Sequence, residues 1–171
     1  ENIHTFIFDF DGVLTNNKVI IDEKGKESVI CDRADGLAFD ILRKYRSIYK
    51  KNYTIFILST EKNPIVNMRA KKHKIDCYQG VNDKLSFIKE YLLNKSSKDL
   101  ISEDGIIYLG NDLNDYSSMK ACGFSVAPCD AHPEIIKIAD IVIDKKGGDG
   151  FVRSFVEDFF KENNILINDL I

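Results

Sequence analysis

Short apolar runs, each ending on a polar turn and followed by an amphipathic stretch, recur along this chain. His4–Phe10 (HTFIFDF) reads as a buried strand, as do Tyr53–Leu58 (YTIFIL) and Gly105–Leu109 (GIIYL), with shorter candidates at Phe124–Ala127 and Asp140–Ile143. Unbroken apolar runs of this kind suit strands covered on both faces. Helical patterns lie between them. Leu37, Ile41, Leu42, Tyr45 and Ile48 form one stripe, Leu85, Ile88, Leu92 and Leu93 another, and Val152, Phe155, Val156 and Phe159 a last one. Asn63-Pro64 reads as an N-cap with proline at the first helical position. Alternating strands and helices predict an α/β, Rossmann-like three-layer sandwich with a mostly parallel central sheet. One segment breaks the alternation. Lys18–Ile21 and Glu27–Cys31 flank a glycine-containing turn, which predicts a β-hairpin insertion over about residues 18–31.

The 171 residues suit one domain spanning 1–171, with 44% hydrophobic and 30% charged residues. The chain begins at Glu1 rather than Met, which leaves room for a domain of a longer protein. A net charge of −3 gives no electrostatic reason to expect nucleic acid or an anionic membrane as partner. No apolar run is long enough to span a bilayer and no signal peptide is evident. Cys31, Cys77, Cys122 and Cys129 lack CxxC or zinc-ligand spacing, so small buried thiols in a reducing, cytoplasmic setting are expected.

In parallel sheets, ligands bind outside the carboxyl ends of the strands, so the residues following each apolar run matter most. Asp9 and Asp11 follow the first run. Two carboxylates two residues apart call for a cation or a proton between them, and magnesium takes such oxygens readily. Ser59 and Thr60 follow the second run, where a hydroxyl and free N–H groups suit phosphate oxygens. Lys84 precedes a helical stripe and offers a compact positive charge. Gly110-Asn111-Asp112-Leu113-Asn114-Asp115 follows the third run, rich in oxygen ligands for a hard cation. Each feature alone also reads as a capping turn or a solvated side chain. One pocket holding a metal and a phosphate accounts for all four together.

These residues resemble the haloacid dehalogenase superfamily of phosphatases. Phe8–Thr15 (FDFDGVLT) looks like its first motif, Ser59 its second, Lys84 its third and Gly110–Asp115 (GNDLND) its fourth. Gln79–Leu85, Asp130–Glu134 and Gly147–Arg153 look like one branch. That branch holds the 3-deoxy-manno-octulosonate 8-phosphate phosphatases, the sialic-type nonulosonate 9-phosphate phosphatases, and phosphatase-like domains attached to sialic acid cytidylyltransferases. The resemblance implies no separate cap domain, a Mg2+ cofactor, a small sugar acid phosphate as substrate, and a homotetramer that the hairpin helps to assemble. The sequence departs from the pattern at Asn111, where Asp is usual. Asn111 through its carbonyl oxygen, or Asp112 in its place, would then complete the ligand set with Asp9 and Asp11.

The resemblance implies that Asp9 attacks phosphorus, that Asp11 serves as acid and then base, and that Ser59, Thr60 and Lys84 hold the phosphate. A sugar acid carboxylate calls for arginine, and Arg33 and Arg153 are the candidates. His132 is expected at a loop or helix start, and His4 and His73 as structural or solvated. A signalling receiver domain would carry its acceptor Asp after a middle strand, where this chain has Ser59. A non-catalytic oligomerisation domain of a cytidylyltransferase is the main alternative, and phosphoryl transfer to a sugar a further one.

Overall fold

The computed structural model describes residues 3–95 and 102–170. Its centre is a six-stranded, wholly parallel sheet in the order β5-β4-β1-β6-β7-β8. The strands are β1 (Thr5–Phe8), β4 (Thr54–Leu58), β5 (Asp76–Tyr78), β6 (Ile106–Leu109), β7 (Phe124–Pro128) and β8 (Ile141–Ile143). β1 is paired on both sides, with Thr5 opposite Thr54 and Ile106 and Phe8 opposite Ile57 and Leu109. It carries an apolar side chain on each face. Phe6 and Phe8 point into one core and Ile7 into the other, as the two-residue period of a strand dictates.

Helices cover both faces. α1 (Arg33–Ile48), α2 (Ile65–His73) and α6 (Phe151–Glu162) pack over the Phe6–Phe8 side. α3 (Lys84–Lys95), α4 (Tyr116–Ala121) and α5 (Pro133–Ile138) close the Ile7 side. The inner arc of α1 is Ala38, Phe39, Ile41 and Leu42. Leu37 and Ile48, expected on the buried stripe, lie off that arc and are 42% and 55% exposed; Leu93 on α3 is likewise 77% exposed. α6 buries Phe151, Val152, Phe155, Val156 and Phe160, and Phe159 packs at the edge of the same core. The residue at the N-cap of α2 is Pro64 rather than Asn63, while Asn63 Oδ1 accepts the Ile65 N–H at 3.1 Å just ahead of the helix. His132 begins α5, with Nδ1 accepting the Glu134 N–H.

The hairpin forms where predicted. β2 (Thr15–Ile21) and β3 (Glu27–Cys31) pair antiparallel as a separate ribbon between β1 and α1. Asp22 Oδ1 accepts the N–H groups of Lys24 and Lys26 and shapes its turn. The ribbon leaves Val19, Ile20, Ile21 and Ile30 exposed. No cap domain is present among the described residues. The cysteines differ from expectation: Cys122 is buried, Cys31 and Cys77 are half-buried, and Cys129 is exposed. No helix of the described residues is long and apolar enough to cross a membrane.

The chain leaves β1 for β4 on one side and later returns to β6 on the other. The strand order therefore reverses beside β1, and a crevice opens there at the carboxyl ends.

Candidate active site

Asp9 is the residue after β1. Its N–H still donates to the Leu109 carbonyl at 2.9 Å, so the sheet fixes its backbone, and the residue is buried. Lys84 opens α3 with its side chain wholly enclosed, and Nζ donates to Asp9 Oδ1 and to Asp115 Oδ1, each at 2.7 Å. Asp115 spends its other oxygen on the loop after β6. Oδ2 accepts the N–H of Asn111 at 2.9 Å and of Asp112 at 3.3 Å. From the core side, Tyr108 donates its hydroxyl to Asp115 Oδ1 at 2.8 Å.

Asn111 stands on the other side of Asp9. The end of its amide lies 3.2 Å from Asp9 Oδ2 and 2.7 Å from the Asp11 carbonyl oxygen. Either end of the amide can take this place. As Nδ2 it donates to both oxygens. As Oδ1 it completes a set of three converging oxygens, which a cation, or a proton on Asp9, would reconcile. Two magnesium ligands at right angles are about 2.9 Å apart, given bonds of about 2.0–2.1 Å, so the observed spacings fit that ion. The donors are a carboxylate, a backbone carbonyl and an amide. Among the described residues, no group of three or more His, Cys, Asp or Glu side chains is disposed to hold a metal. This close approach depends on Gly12, whose φ is +84°. A Cβ there would sit 2.0 Å from the Asn111 amide nitrogen.

Burial sets the electrostatics. It raises the Asp9 pKa, Asp115 raises it further, and Lys84 opposes both. Burial also works against the Lys84 ammonium, but the charges of Asp9 and Asp115 outweigh it and the pKa ends above the ordinary value. Asp11 is half-buried, and its carboxyl is pushed up by burial and then by the charge of Glu61, with a smaller contribution from Glu27. Of Asp9, Asp11, Lys84 and Asp115 it is the one not fully buried. Ser59 follows β4 and is buried, with Oγ accepting the Glu61 N–H at 3.0 Å. Thr60 beside it meets Asn114 Nδ2 across the crevice at 3.5 Å.

The haloacid dehalogenase-like hydrolase profile matches residues 44–155. The chain is 33% identical over 154 residues to the 3-deoxy-D-manno-octulosonate 8-phosphate phosphatase of Salmonella typhi, covering 90% of this chain and 77% of that one. This chain belongs to the haloacid dehalogenase-like hydrolases. Solved members of that family have the same fold. A hydrolase from Streptomyces avermitilis superposes with a TM-score of 0.83 at 34% identity, covering 99% of this chain and 88% of that one. The 3-deoxy-D-manno-octulosonate 8-phosphate phosphatase of Moraxella catarrhalis, in complex with magnesium, phosphate and a KDO molecule, gives 0.84 at 26% identity, covering 95% and 88%.

Within this hydrolase fold, the residues singled out from sequence separate into two groups. Asp9, the Asp11 backbone, Lys84 and Asn111 come together, with Ser59 and Thr60 at the neighbouring strand end. Asp112 does not join them. It is exposed, and its Oδ1 caps the turn Leu113–Asp115 by accepting the Leu113 N–H at 2.7 Å. Arg33 is exposed at the start of α1. Arg153 ion-pairs with Glu157 at 2.6 Å and lines a cleft of about 630 Å³ along α1 with Asp40, Arg43 and Leu170. Among the described residues, neither arginine bonds to the Asp9 group. Sequence reasoning placed Asp115 in the Gly110–Asp115 cluster without giving it a role, and missed Tyr108. Their signals were present: an acid one helical turn after Asn111, and a lone hydroxyl inside the apolar run Ile106–Leu109.

Proposed function

We propose that this chain, a phosphoric monoester hydrolase by its family, is a magnesium-dependent phosphatase working through an aspartyl-phosphate on Asp9. The observation that carries the reading is the position of Asp9, with Lys84 on one oxygen and the Asn111 amide and Asp11 carbonyl beside the other. The metal would be held by Asp9 Oδ2, the Asp11 carbonyl and Asn111 Oδ1. When bound, it supplies the positive charge that lets a carboxylate approach a phosphate dianion. Asp9 forms a bond to phosphorus as the bond to the leaving oxygen breaks. Asp11, whose raised pKa suits holding a proton, gives that proton to the leaving alcohol. It then takes one from the water that releases orthophosphate and restores Asp9. Lys84, Ser59 and Thr60 neutralise and orient the phosphate oxygens.

The names of the relatives support a 2-keto-3-deoxy sugar acid phosphate such as octulosonate 8-phosphate as substrate; nonulosonate 9-phosphate and a cytoplasmic setting rest on the resemblance alone. Arg33 or Arg153 would meet the substrate carboxylate in its own or a neighbouring subunit. The exposed Val19, Ile20, Ile21 and Ile30 of the hairpin support a homotetramer closed through that ribbon. An Ile20→Lys chain that sediments like wild type would remove that assignment. One observation favours a second reading, a non-catalytic domain associated with a cytidylyltransferase. In its Nδ2 orientation, Asn111 satisfies Asp9 and the Asp11 carbonyl with no ion at all.

The deciding assay is phosphate release with magnesium from sugar acid 8- and 9-phosphates, beside an Asp9→Asn control. Release that requires Asp9 is expected. No release above the control on any substrate, with magnesium or manganese, would leave only the non-catalytic reading.

A further inference from the structure

One buried group reaches the site from behind. Tyr108 lies in β6, three residues before Asn111, and is fully enclosed in the core with Ile7, Ile88 and Met119. A phenol there costs desolvation unless it is bonded. Among the described residues its partner is Asp115 Oδ1 at 2.8 Å, the oxygen that also accepts Lys84 Nζ at 2.7 Å. Asp115 Oδ2 accepts the Asn111 N–H at 2.9 Å. One carboxylate thus ties the ammonium on one side of Asp9 to the loop whose amide stands on the other. Tyr108 pins that carboxylate from the sheet side and sets its rotation.

We propose that Tyr108 is a positioning residue, which through its bond to Asp115 holds Lys84 and the Asn111 loop in register with Asp9. The inference rests on the phosphatase reading. It assigns to one hydroxyl, remote from any substrate, joint control of phosphate binding and metal binding. Burial and then the Asp115 charge hold the phenol pKa well above the ordinary value, so the hydroxyl stays a donor at every working pH.

The test compares the full-length chain with magnesium in wild type, Tyr108→Phe, Asp115→Asn, the double variant, and Phe160→Leu. The last weakens the opposite core, where Phe160 packs on Tyr45, and reports what lost stability alone does. Three quantities are read: kcat, orthophosphate affinity by calorimetry, and the magnesium concentration for half-saturation. Misplacement of a catalytic group costs on the order of 100-fold when it reaches about 1 Å. Tyr108→Phe is therefore expected to lower kcat by roughly 10- to 100-fold and to weaken both orthophosphate and magnesium binding several-fold. Phe160→Leu should leave all three unchanged below its melting temperature. The double variant should be no worse than Asp115→Asn, because the phenol acts only through that carboxylate.

A Tyr108→Phe chain that behaves like Phe160→Leu overturns the inference. So do additive losses in the double variant, and so does a Tyr108→Phe chain that fails to fold while Asp115→Asn folds. If the wild type releases no phosphate, the phosphatase reading falls by itself. Calorimetry then still decides about Tyr108, since a drop in orthophosphate affinity supports the coupling and an unchanged affinity refutes it.

Discussion

Replacing Asn111 with Asp tests the geometry of the site at its most sensitive point. The amide end lies 3.2 Å from Asp9 Oδ2 and 2.7 Å from the Asp11 carbonyl, and the residue is buried. A carboxylate there would face another carboxylate and a carbonyl oxygen, with no hydrogen to share. At an effective dielectric of about 20, two unit charges at this separation repel by about 5 kcal/mol. The variant escapes most of this by taking up a proton. Binding it about two pKa units more tightly than usual costs about 2.7 kcal/mol near neutral pH. For a chain of this length, that lowers the melting temperature by about 5–10 °C in EDTA. Magnesium should reverse the sign. A third charged oxygen tightens binding, and an ion at 100 times its dissociation constant returns about 2.7 kcal/mol. The assay is thermal melting of wild type and Asn111→Asp, each in EDTA and in a magnesium series. The expected result is a variant less stable than wild type without the ion and shifted further upward by it. A variant equal to wild type in EDTA, with no larger magnesium shift, would refute the placement of Asn111 against Asp9.

Lys84→Met leaves Asp9 and Asp115 buried with no counter-charge. Removing one partner from a buried ion pair costs about 3–5 kcal/mol, so chemical denaturation should show a loss of that size together with loss of phosphate release. Gly12→Ala places a Cβ 2.0 Å from the Asn111 amide at a φ of +84°. About 1–3 kcal/mol of strain is expected, with a weaker magnesium response on melting as the amide is pushed away. Asp35 supplies a pH dependence of its own. Burial raises its pKa from 3.8 to about 6 although it accepts the Arg153 N–H. The folded chain therefore binds this proton more tightly than the unfolded one. The stability it contributes is full below pH 3.8 and is lost as pH rises to about 6, by up to about 3 kcal/mol. Denaturant midpoints of wild type and Asp35→Asn across that range should differ in slope, and equal slopes would remove the assignment.

The parallel strands were legible because burial on both faces demands unbroken apolar runs, as in Phe6–Phe8 and Ile55–Leu58. β5 was not, because Asp76-Cys77-Tyr78 is three residues long and neither apolar nor alternating. Only its pairing with Phe56–Leu58 makes it a strand. The stripe on α1 was misplaced at Leu37 and Ile48 because its apolar residues admit several phases until the facing sheet selects one. Acids in one loop look alike for the same reason. Sequence separates Asp112 from Asp115 by three positions, yet the fold turns the first outward as a cap and buries the second against Lys84. That assignment needs the pairing of residues 84 and 115, a long-range contact that no local pattern encodes.

The charge balance of the buried group explains why Asn111 fits this chain. Fully ionised, Asp9 and Asp115 carry two negative charges and Lys84 one positive charge, which leaves one negative charge on a buried group. An ionised Asp at position 111 would make it two, where burial and the Asp115 charge already raise the Asp9 pKa. With Asn, the amide nitrogen can donate to both oxygens, so the loop needs no ion to keep its geometry. At the proposed metal site the same neutrality removes a charged ligand, so weaker magnesium binding is expected from the residue that makes the ion-free site stable. Ion-free stability and metal affinity are thus set against each other at one side chain, and Asn111→Asp should move the two in opposite directions.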